Sequence, residues 1–401
     1  MILPALLLMQ TLSGLQQPAA GGLAAPEPSQ GPGEDFEVYY RGGIRFEAAD
    51  GSFKAKMGGR IQWDTAYIGN NRAIEAAVGA PLDDGTEFRR TRLYISGSIH
   101  DEVEFKAQYD FAGGAAAFKD VYIAFPAFPA GKLTVGQFKE PFSLEELTSS
   151  NSITFMERGL PNAFSPSRST GVMLADDLDG RFTWAAGVFR DSNDQGMQVS
   201  DSELSATARV TGLVYSENDG QDLLHLGAAV SRRSPNGDDA QWRERPENHL
   251  SPRFVDTGVF ASDESTLVGL EAAWVSGPVS VQGEYIQAQN QLVAGGDATF
   301  SGYYVEGSLF LSDGDSRRYD AEAGAFKGPE PAGDDAWEAK LRYSSLDLTD
   351  GAIAGGELTD VTVGLNWYMN PNTRLMFEVV NADLDGVDST LIAQLRCQVT
   401  W

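Results

Sequence analysis

The chain has 401 residues, with 42% hydrophobic and 10% aromatic residues, 44 glycines and a formal charge of −27 at pH 7. That composition is too polar for a bundle of membrane helices and too apolar for a disordered chain. The acidic balance excludes a uniformly basic nucleic-acid binder, so no nucleic-acid partner is expected.

The chain opens on an apolar run, ILPALLLMQTL at 2–12, too short to cross a bilayer as a helix. Small-residue sites follow, PAA at 18–20 and LAA at 23–25. Residues 1–25 therefore read as a secretory signal peptide, although no Lys or Arg precedes Arg41 to supply a basic leader. Residues 26–50, beginning PEPSQGPGED, read as a flexible N-terminal segment, and 51–401 as one β-rich body.

From residue 51 the dominant period is two. In KAKMGGRIQWDTAYIG, Ala55, Met57, Ile61, Trp63 and Tyr67 share one parity, and Lys56, Arg60, Gln62 and Asp64 the other. VEFKAQYDF, AWEAKLRYSSL and VTVGLNWYM repeat the pattern. Alternation alone fits a half-buried soluble sheet. Full charges at strand centres and aromatics near strand ends point instead to strands with one face in lipid and one in a wet lumen. Sixteen such segments run at 53–68, 86–99, 102–112, 117–126, 131–139, 169–176, 180–190, 203–216, 221–233, 265–276, 278–291, 298–312, 336–346, 358–369, 373–384 and 388–401. An even number places both termini on one side, and closure removes the sheet edges. Short links, such as His100–Asp101 and 370–373, alternate with long ones at 69–85, 140–168, 191–202, 234–264 and 347–357. The link 313–335 breaks this rule: it is long, yet parity puts it on the side of the short turns. Either a strand pair is hidden there or that turn is elaborated. The chain ends on LIAQLRCQVTW, an alternating strand with a terminal aromatic, as a closing barrel strand would.

Several chemistries are absent from the pattern. A single cysteine, Cys397, falls on the lipid-facing parity, and the histidines are His100, His225 and His249 alone. No Cys₄ or Cys₂His₂ zinc set is possible, and no metal or cofactor is expected. No GxSxG occurs and no histidine is spaced to activate a nucleophile, so the chain does not read as an enzyme. DDG at 83–85, NGDD at 236–239 and GDD at 333–335 could hold calcium through carboxylates, but none completes a twelve-residue calcium loop. There are 22 Arg against 8 Lys. A GC-rich genome would produce that bias, and so would a need for planar, forked contact to oxyanions.

Specific pieces resemble the phosphate-selective porins O and P: GGRIQWD at 58–64, FRRTRLYISG at 88–97, FKAQYDF at 105–111, FKDVYIAF at 118–125, VGQFKEPFSLEELTSS at 135–150, TFMERGLP at 154–161 and AWEAKLRYSSLDL at 336–348. The VGQFKEPFSLEELTSS…FMER block is the most specific. The resemblance implies an all-β, sixteen-stranded antiparallel transmembrane barrel of the bacterial outer membrane, embedded in outer-membrane lipid and assembled as a homotrimer. Its third loop would fold inward and narrow the lumen. Pro141 would end the preceding strand, and Ser143 and Glu146 have capping-box spacing around LEEL. The loop would present Lys139, Arg158 and Arg168 to the pore, with Glu140, Glu145, Glu146 and Glu157 as the nearest counter-charges.

Parity adds Lys54, Lys56, Arg60, Arg90, Arg92, Lys106, Arg209, Lys340, Arg342 and Arg396 to the lumen face, and also Asp64, Glu104, Asp110, Glu284, Glu306 and Glu338. Guanidiniums at successive depths would suit inorganic phosphate or polyphosphate, as in a water-filled channel for passive diffusion of small anions. The same rows could instead form a transverse field in a general small-solute porin, or interior ion pairs that set the shape of a non-transporting structural barrel.

Overall fold

The structure is a computed structural model describing residues 35–197, 199, 204–235, 237, 239–312, 314–328 and 335–401. The expected signal peptide at 1–25 lies outside the described residues. Sixteen of the strands among them form the barrel: β1 (Phe53–Ile68), β2 (Gly85–Ile99), β3 (Val103–Asp110), β4 (Ala117–Phe125), β5 (Lys132–Lys139), β6 (Arg168–Leu178), β7 (Phe182–Arg190) and β8 (Ser205–Glu217). The rest are β9 (Asp222–Arg233), β10 (Phe260–Ser276), β11 (Val279–Leu292), β12 (Asp297–Phe310), β13 (Ala336–Asp350), β14 (Ile353–Asn370), β15 (Thr373–Leu384) and β16 (Asp388–Thr400). Each pairs antiparallel with the next, and β16 closes onto β1 from Ile392↔Ile68 to Thr400↔Arg60. Closure lets the backbone polar groups of the wall pair in ladders all the way round, as hydrocarbon demands.

All sixteen expected strands are present. The largest differences lie at the loop end, where β10 starts at Phe260 and where β13 and β14 run on to Asp350 and Ile353 past a bulge between Asp347 and Thr349. Apolar alternation stops where the wall leaves the lipid, but the ladder does not, so polarity underestimates strand length there. Height is uneven: β3 and β5 have 8 residues each, β14 has 18.

The two faces divide as the period requires. On β13, Leu341 is 54% exposed and its neighbour Arg342 is 0%. Outward aromatics mark two levels, with Trp337 stacked on Trp367 at 5.3 Å near one end and Tyr303 beside Tyr343 at 5.9 Å toward the other. The terminal Trp401 packs its ring against the backbone of Gly59, where a side chain would come within 2.5 Å of it.

Two segments depart from expectation. Part of the stretch read as flexible, 26–50, is ordered: Phe36–Tyr40 and Ile44–Ala48 form a hairpin whose second strand pairs with β1 from Ile44↔Met57 to Glu47↔Lys54. The hairpin takes up the edge of β1 that β16 has left free. The anomalous link after β12 hides no strand pair of the wall. Its described part, 314–328, carries a miniature hairpin, Tyr319–Asp320 against Ala325–Phe326, at the end of the barrel where β1 begins and β16 finishes. Ala325 and Phe326 are buried against Leu213, Leu223, Ala273 and Val275 of the wall, so the link turns inward.

Leu341 lies between the two aromatic levels of its own strand, facing out. Leu341→Arg should destabilise the barrel in a lipid bilayer by roughly 2–4 kcal/mol. Reversible urea unfolding in vesicles measures this, and an unchanged midpoint would show that this face does not meet hydrocarbon.

Candidate functional site

The third loop, 140–167, starts as its sequence suggests. Ser143 accepts a hydrogen bond from the Glu146 amide at 3.1 Å and caps the turn α2 (Leu144–Leu147), which follows α1 (Arg72–Val78) of the first loop. The reciprocal half of the capping box is missing, because the Glu146 carboxylate goes elsewhere, to Arg158 at 3.1 Å and Lys139 at 3.4 Å. Ser143 sits at φ 65°, a left-handed conformation costly for a residue with a side chain. The surrounding contacts hold it there: the Leu144 and Glu145 amides both donate to Glu284 of β11, at 3.0 and 2.7 Å.

Beyond α2 the loop runs along the inner wall, and its peptide groups are satisfied by inward-facing side chains. Arg374 donates to the Ile153 carbonyl at 3.0 Å. Lys340 and Asn366 donate to that of Thr154, each at 2.9 Å. Arg396 donates to the Met156 carbonyl and Arg342 to that of Glu157, the latter at 2.8 Å. The Met156 amide donates to Glu378 at 2.7 Å. The Glu157 carboxylate takes a forked contact from Arg89 at 2.8 and 2.9 Å and a third from Arg396 at 2.7 Å.

These contacts reassign several residues expected to line a pore. Lys340 and Arg342 do face inward, but they are fully enclosed and clamp the loop backbone. Arg90 is buried beneath the loop, bonded to Gln62 at 2.9 Å. Arg209 is buried against Glu271, with its Nε 3.1 Å away, and donates to the Gly324 carbonyl of the inward-turned link. Glu145 and Glu157 pair with Arg342 and Arg89, and Glu140 with Arg233 at 2.8 Å, so of the four expected counter-charges only Glu146 serves the pore-facing bases.

The fifth loop, 234–259, also enters the barrel. Glu247 accepts from Ser344 and Thr362 at 2.6 Å each and pairs with Arg342 at 2.6 Å. Asn248 reaches Gln394 at 2.7 Å, and Trp242 packs edge-on against Phe164 of the third loop. Together the two loops cover the inner face of β11–β16.

Less fully covered is a basic belt on β1–β6, where Arg60 and Arg92 are each 8% exposed. Arg60 and Arg92 stand directly opposite each other in the ladder, as do Lys139 and Arg168. Like charges in register oppose pairing. The compensation is partial. Arg92 pairs with Asp110 at 2.7 Å, and Lys106 and Arg168 share Asp120 at 2.6 and 2.7 Å. Among the described residues Arg60 bonds only the Ser150 hydroxyl, at 2.6 Å. Lys119 faces Arg92, Arg168, Asp110 and Asp194 and forms no ion pair among the described residues. Arg158 closes the belt from the loop side, donating to the Glu145 and Thr148 carbonyls at 2.9 and 3.2 Å. Seven bases thus meet four acids: Asp110, Asp120, Glu146 and Asp194. Of the residues singled out by sequence, Arg60, Arg92, Lys106, Lys139, Arg158 and Arg168 come together here.

Above the belt, a cavity of about 250 Å³ between the third and fifth loops is lined by Arg89, Arg158, Arg245, Arg253 and His249 on the basic side and Glu157, Glu244 and Glu247 on the acidic side. The Arg245 Nε is buried there without a partner among the described residues. Burial pushes the Glu244 carboxyl up to about 7, against the pull of the Arg245 amide and the Arg253 guanidinium. Among the described residues no group of three or more His, Cys, Asp or Glu is arranged to hold a metal ion.

Parity missed Lys119 and Arg89 for one reason. The ladder slips where Gln108 alone faces Lys119 and Asp120, and again where Arg89 is the extra residue between the Gln62↔Arg90 and Trp63↔Phe88 pairs. Each bulge turns an additional base inward. The fifth-loop arginines had no periodic signal at all.

The sequence profile of the family described as phosphate-selective porin O and P matches residues 55–401. A Caulobacter vibrioides protein described as uncharacterized is 32% identical over 383 residues, spanning 92% of this chain and 75% of its own. Porin O of Pseudomonas aeruginosa is 25% identical over 405 residues, spanning 88% of this chain and 89% of its own. In fold the chain is similar to an anion-selective porin from Comamonas acidovorans, with TM-score 0.56 at 14% identity over 87% of this chain and 100% of that one. It is likewise similar to the trimer form of Vibrio cholerae OmpT, with TM-score 0.57 at 11% identity over the same shares.

Lys340 and Glu378 are both fully enclosed and 2.6 Å apart. Lys340→Met should destabilise the barrel by roughly 3–5 kcal/mol, because it strands a buried carboxylate. Denaturant unfolding in detergent tests this; a loss below about 1 kcal/mol would mean that the pair is hydrated.

Proposed function

The chain belongs to the phosphate-selective porin O and P family and is a porin of the bacterial outer membrane, and from that premise we propose that its channel selects small anions, with phosphate and short polyphosphates as the solutes it favours. The reading rests on one observation above all: the inner wall left free by the two loops carries Arg60 opposite Arg92 and Lys139 opposite Arg168. Two like-charge pairs in register are a standing cost to the sheet. A passing oxyanion relieves it, by placing negative charge between groups that otherwise repel. Narrow, partly desolvated surroundings strengthen that attraction. The guanidiniums offer forked donors to phosphate oxygens, while Lys106, Lys119 and Lys139 act as point charges. Spreading the charge over several partly compensated sites keeps any one from holding the ion too tightly for conduction.

The names of two relatives support the substrate class: Porin O, and the anion-selective porin. We infer a homotrimer by likeness to the trimeric OmpT form. The family and fold are those of a channel, not an enzyme.

The test is reversal potential across a salt gradient, on purified protein that should run in detergent as three copies. Anion preference is expected, with chloride current blocked by low phosphate. Lys119→Glu and Arg60→Glu should each reduce the anion-to-cation permeability ratio by about threefold or more. Cation preference in the unaltered channel would end the anion reading. Anion preference without phosphate block would leave a general anion pore.

Glu244 adds a pH dependence. Its carboxyl, raised to about 7, is negative above that pH and neutral below it. Lowering pH from 8 to 6 therefore removes one negative charge from the vestibule, and anion preference should rise. Glu244→Gln should remove the pH response and hold the channel near its low-pH selectivity.

A further inference from the structure

The link after β12 turns into the barrel from the periplasmic side, and its described part ends against the third loop. Three contacts fix it to the wall. The Tyr319 hydroxyl lies 2.6 Å from His225 Nδ1, and the other ring nitrogen of His225 is 2.9 Å from Glu271. Arg209, paired with the same Glu271, donates to the Gly324 carbonyl at 2.7 Å. Arg317 pairs with Glu306 at 3.7 Å and lays its guanidinium over the Phe326 ring at 3.7 Å.

Phe326 itself meets the third loop. Its amide donates to the Thr148 hydroxyl at 3.3 Å, and Ala325 and Phe326 pack in one apolar cluster with Leu144 and Leu147 of α2. Two residues on, the side-chain position of Gly328 is 3.9 Å from Ser152 Cβ. The turn resting on this support also holds the two loop-facing bases of the belt: Arg158 donates to the carbonyls of Glu145, Glu146 and Thr148, and Lys139 to that of Glu146. Carbonyls at the end of a helical turn need such donors. A shift of α2 therefore carries Arg158 and Lys139 with it.

We propose that the periplasmic link is the support that sets the height of the third loop, with Phe326 a positioning residue for Arg158 and Lys139, so that channel selectivity is governed in part from the periplasmic side. Phe326 touches neither base. It acts through α2 and its C-cap residue Thr148. The idea uses the reading of Lys139 and Arg158 as selectivity groups, but its mechanical half, that the link holds α2 in place, stands without it.

The experiment is carried out on the full-length channel with Cys397→Ala. Phe326→Ala should change single-channel conductance and lower the anion-to-cation permeability ratio by about threefold, while heat-modifiable mobility shows the barrel intact. Tyr319→Phe, which loosens the link without touching the loop, should shift both in the same direction by less. The pair Ser152→Cys and Gly328→Cys has a spacing that a disulfide spans without strain. Added to Phe326→Ala and oxidised, it should restore conductance and selectivity, and reductant should reverse the rescue. Wild-type conductance and selectivity in Phe326→Ala, or no rescue on oxidation, would overturn the proposal. Failure of the pair to cross-link in the otherwise unaltered channel would overturn the contact itself. A conductance change rescued by the disulfide, in a channel with no ion preference, would sustain the mechanical coupling and reject the anion reading instead.

Discussion

Arg342 is the point on which the interior depends. Its guanidinium is fully enclosed, 3.1 Å from Glu145 of the third loop, 2.6 Å from Glu247 of the fifth and 3.4 Å from Glu306 of the wall, and it lies over the Phe155 ring at 4.2 Å. It also bonds the Glu157 carbonyl. A cation in that position would be prohibitively costly alone, and so would three carboxylates. Together they are mutually required. The wider rule is that irregular backbone at membrane depth must be satisfied by protein. The barrel meets it by using Lys340, Arg374, Arg396 and Arg342 as donors to consecutive stretches of one loop. Basic residues that look like pore lining in the sequence are, on β13–β16, the bonding surface for a peptide.

That arrangement creates the asymmetry of the lumen. Acids and bases are interleaved on β11–β16, and they are taken up by the loops. On β1–β6 the loop backbone bonds the wall at fewer points, at Ser150 and Glu146, and Lys119 forms no ion pair among the described residues. On the proposed reading the conductive surface is thus defined by subtraction. Inward direction is shared by every lumen charge, but only those on the uncovered side can meet a solute.

The sequence was informative where a period repeats and mute where it slips. Side-chain alternation located all sixteen strands, because each residue of a wall between lipid and water must choose a face. The specific block around Pro141 and Ser143 located the third loop. Parity reports direction, however, not height or cover, so it could not separate Arg60 from Arg342. A bulge reverses parity locally, which hid Arg89 and Lys119. The fifth loop and the periplasmic link enter the lumen through scattered single contacts, such as Glu247 to Thr362 and Phe326 to Thr148, between residues far apart in the chain. Nothing periodic announces such contacts. The hairpin at 36–48 alternates well enough, with Val38 and Tyr40 beside Phe46 and Ile44, but its proximity to a Pro- and Gly-rich leader weighed it toward disorder.

A chain with formal charge −27 can still favour anions, because selectivity is decided by distance and dielectric, not by totals. Acids gather at the loop-end rim, where Glu357 lies beside Asp347 and Asp385 in open solvent. Charges there are screened within roughly 8–10 Å at physiological salt. Other acids, such as Glu378 and Asp64, are neutralised inside by Lys340 and Arg396 at 2.6 Å. Neither group projects far along the pore axis. On the proposed reading the bases of the belt act on an ion at close range, in narrow and partly desolvated surroundings that strengthen each charge. The energy barrier would then be set there, and a surplus of carboxylates elsewhere on the molecule would change solubility and the approach of solutes without changing which sign passes.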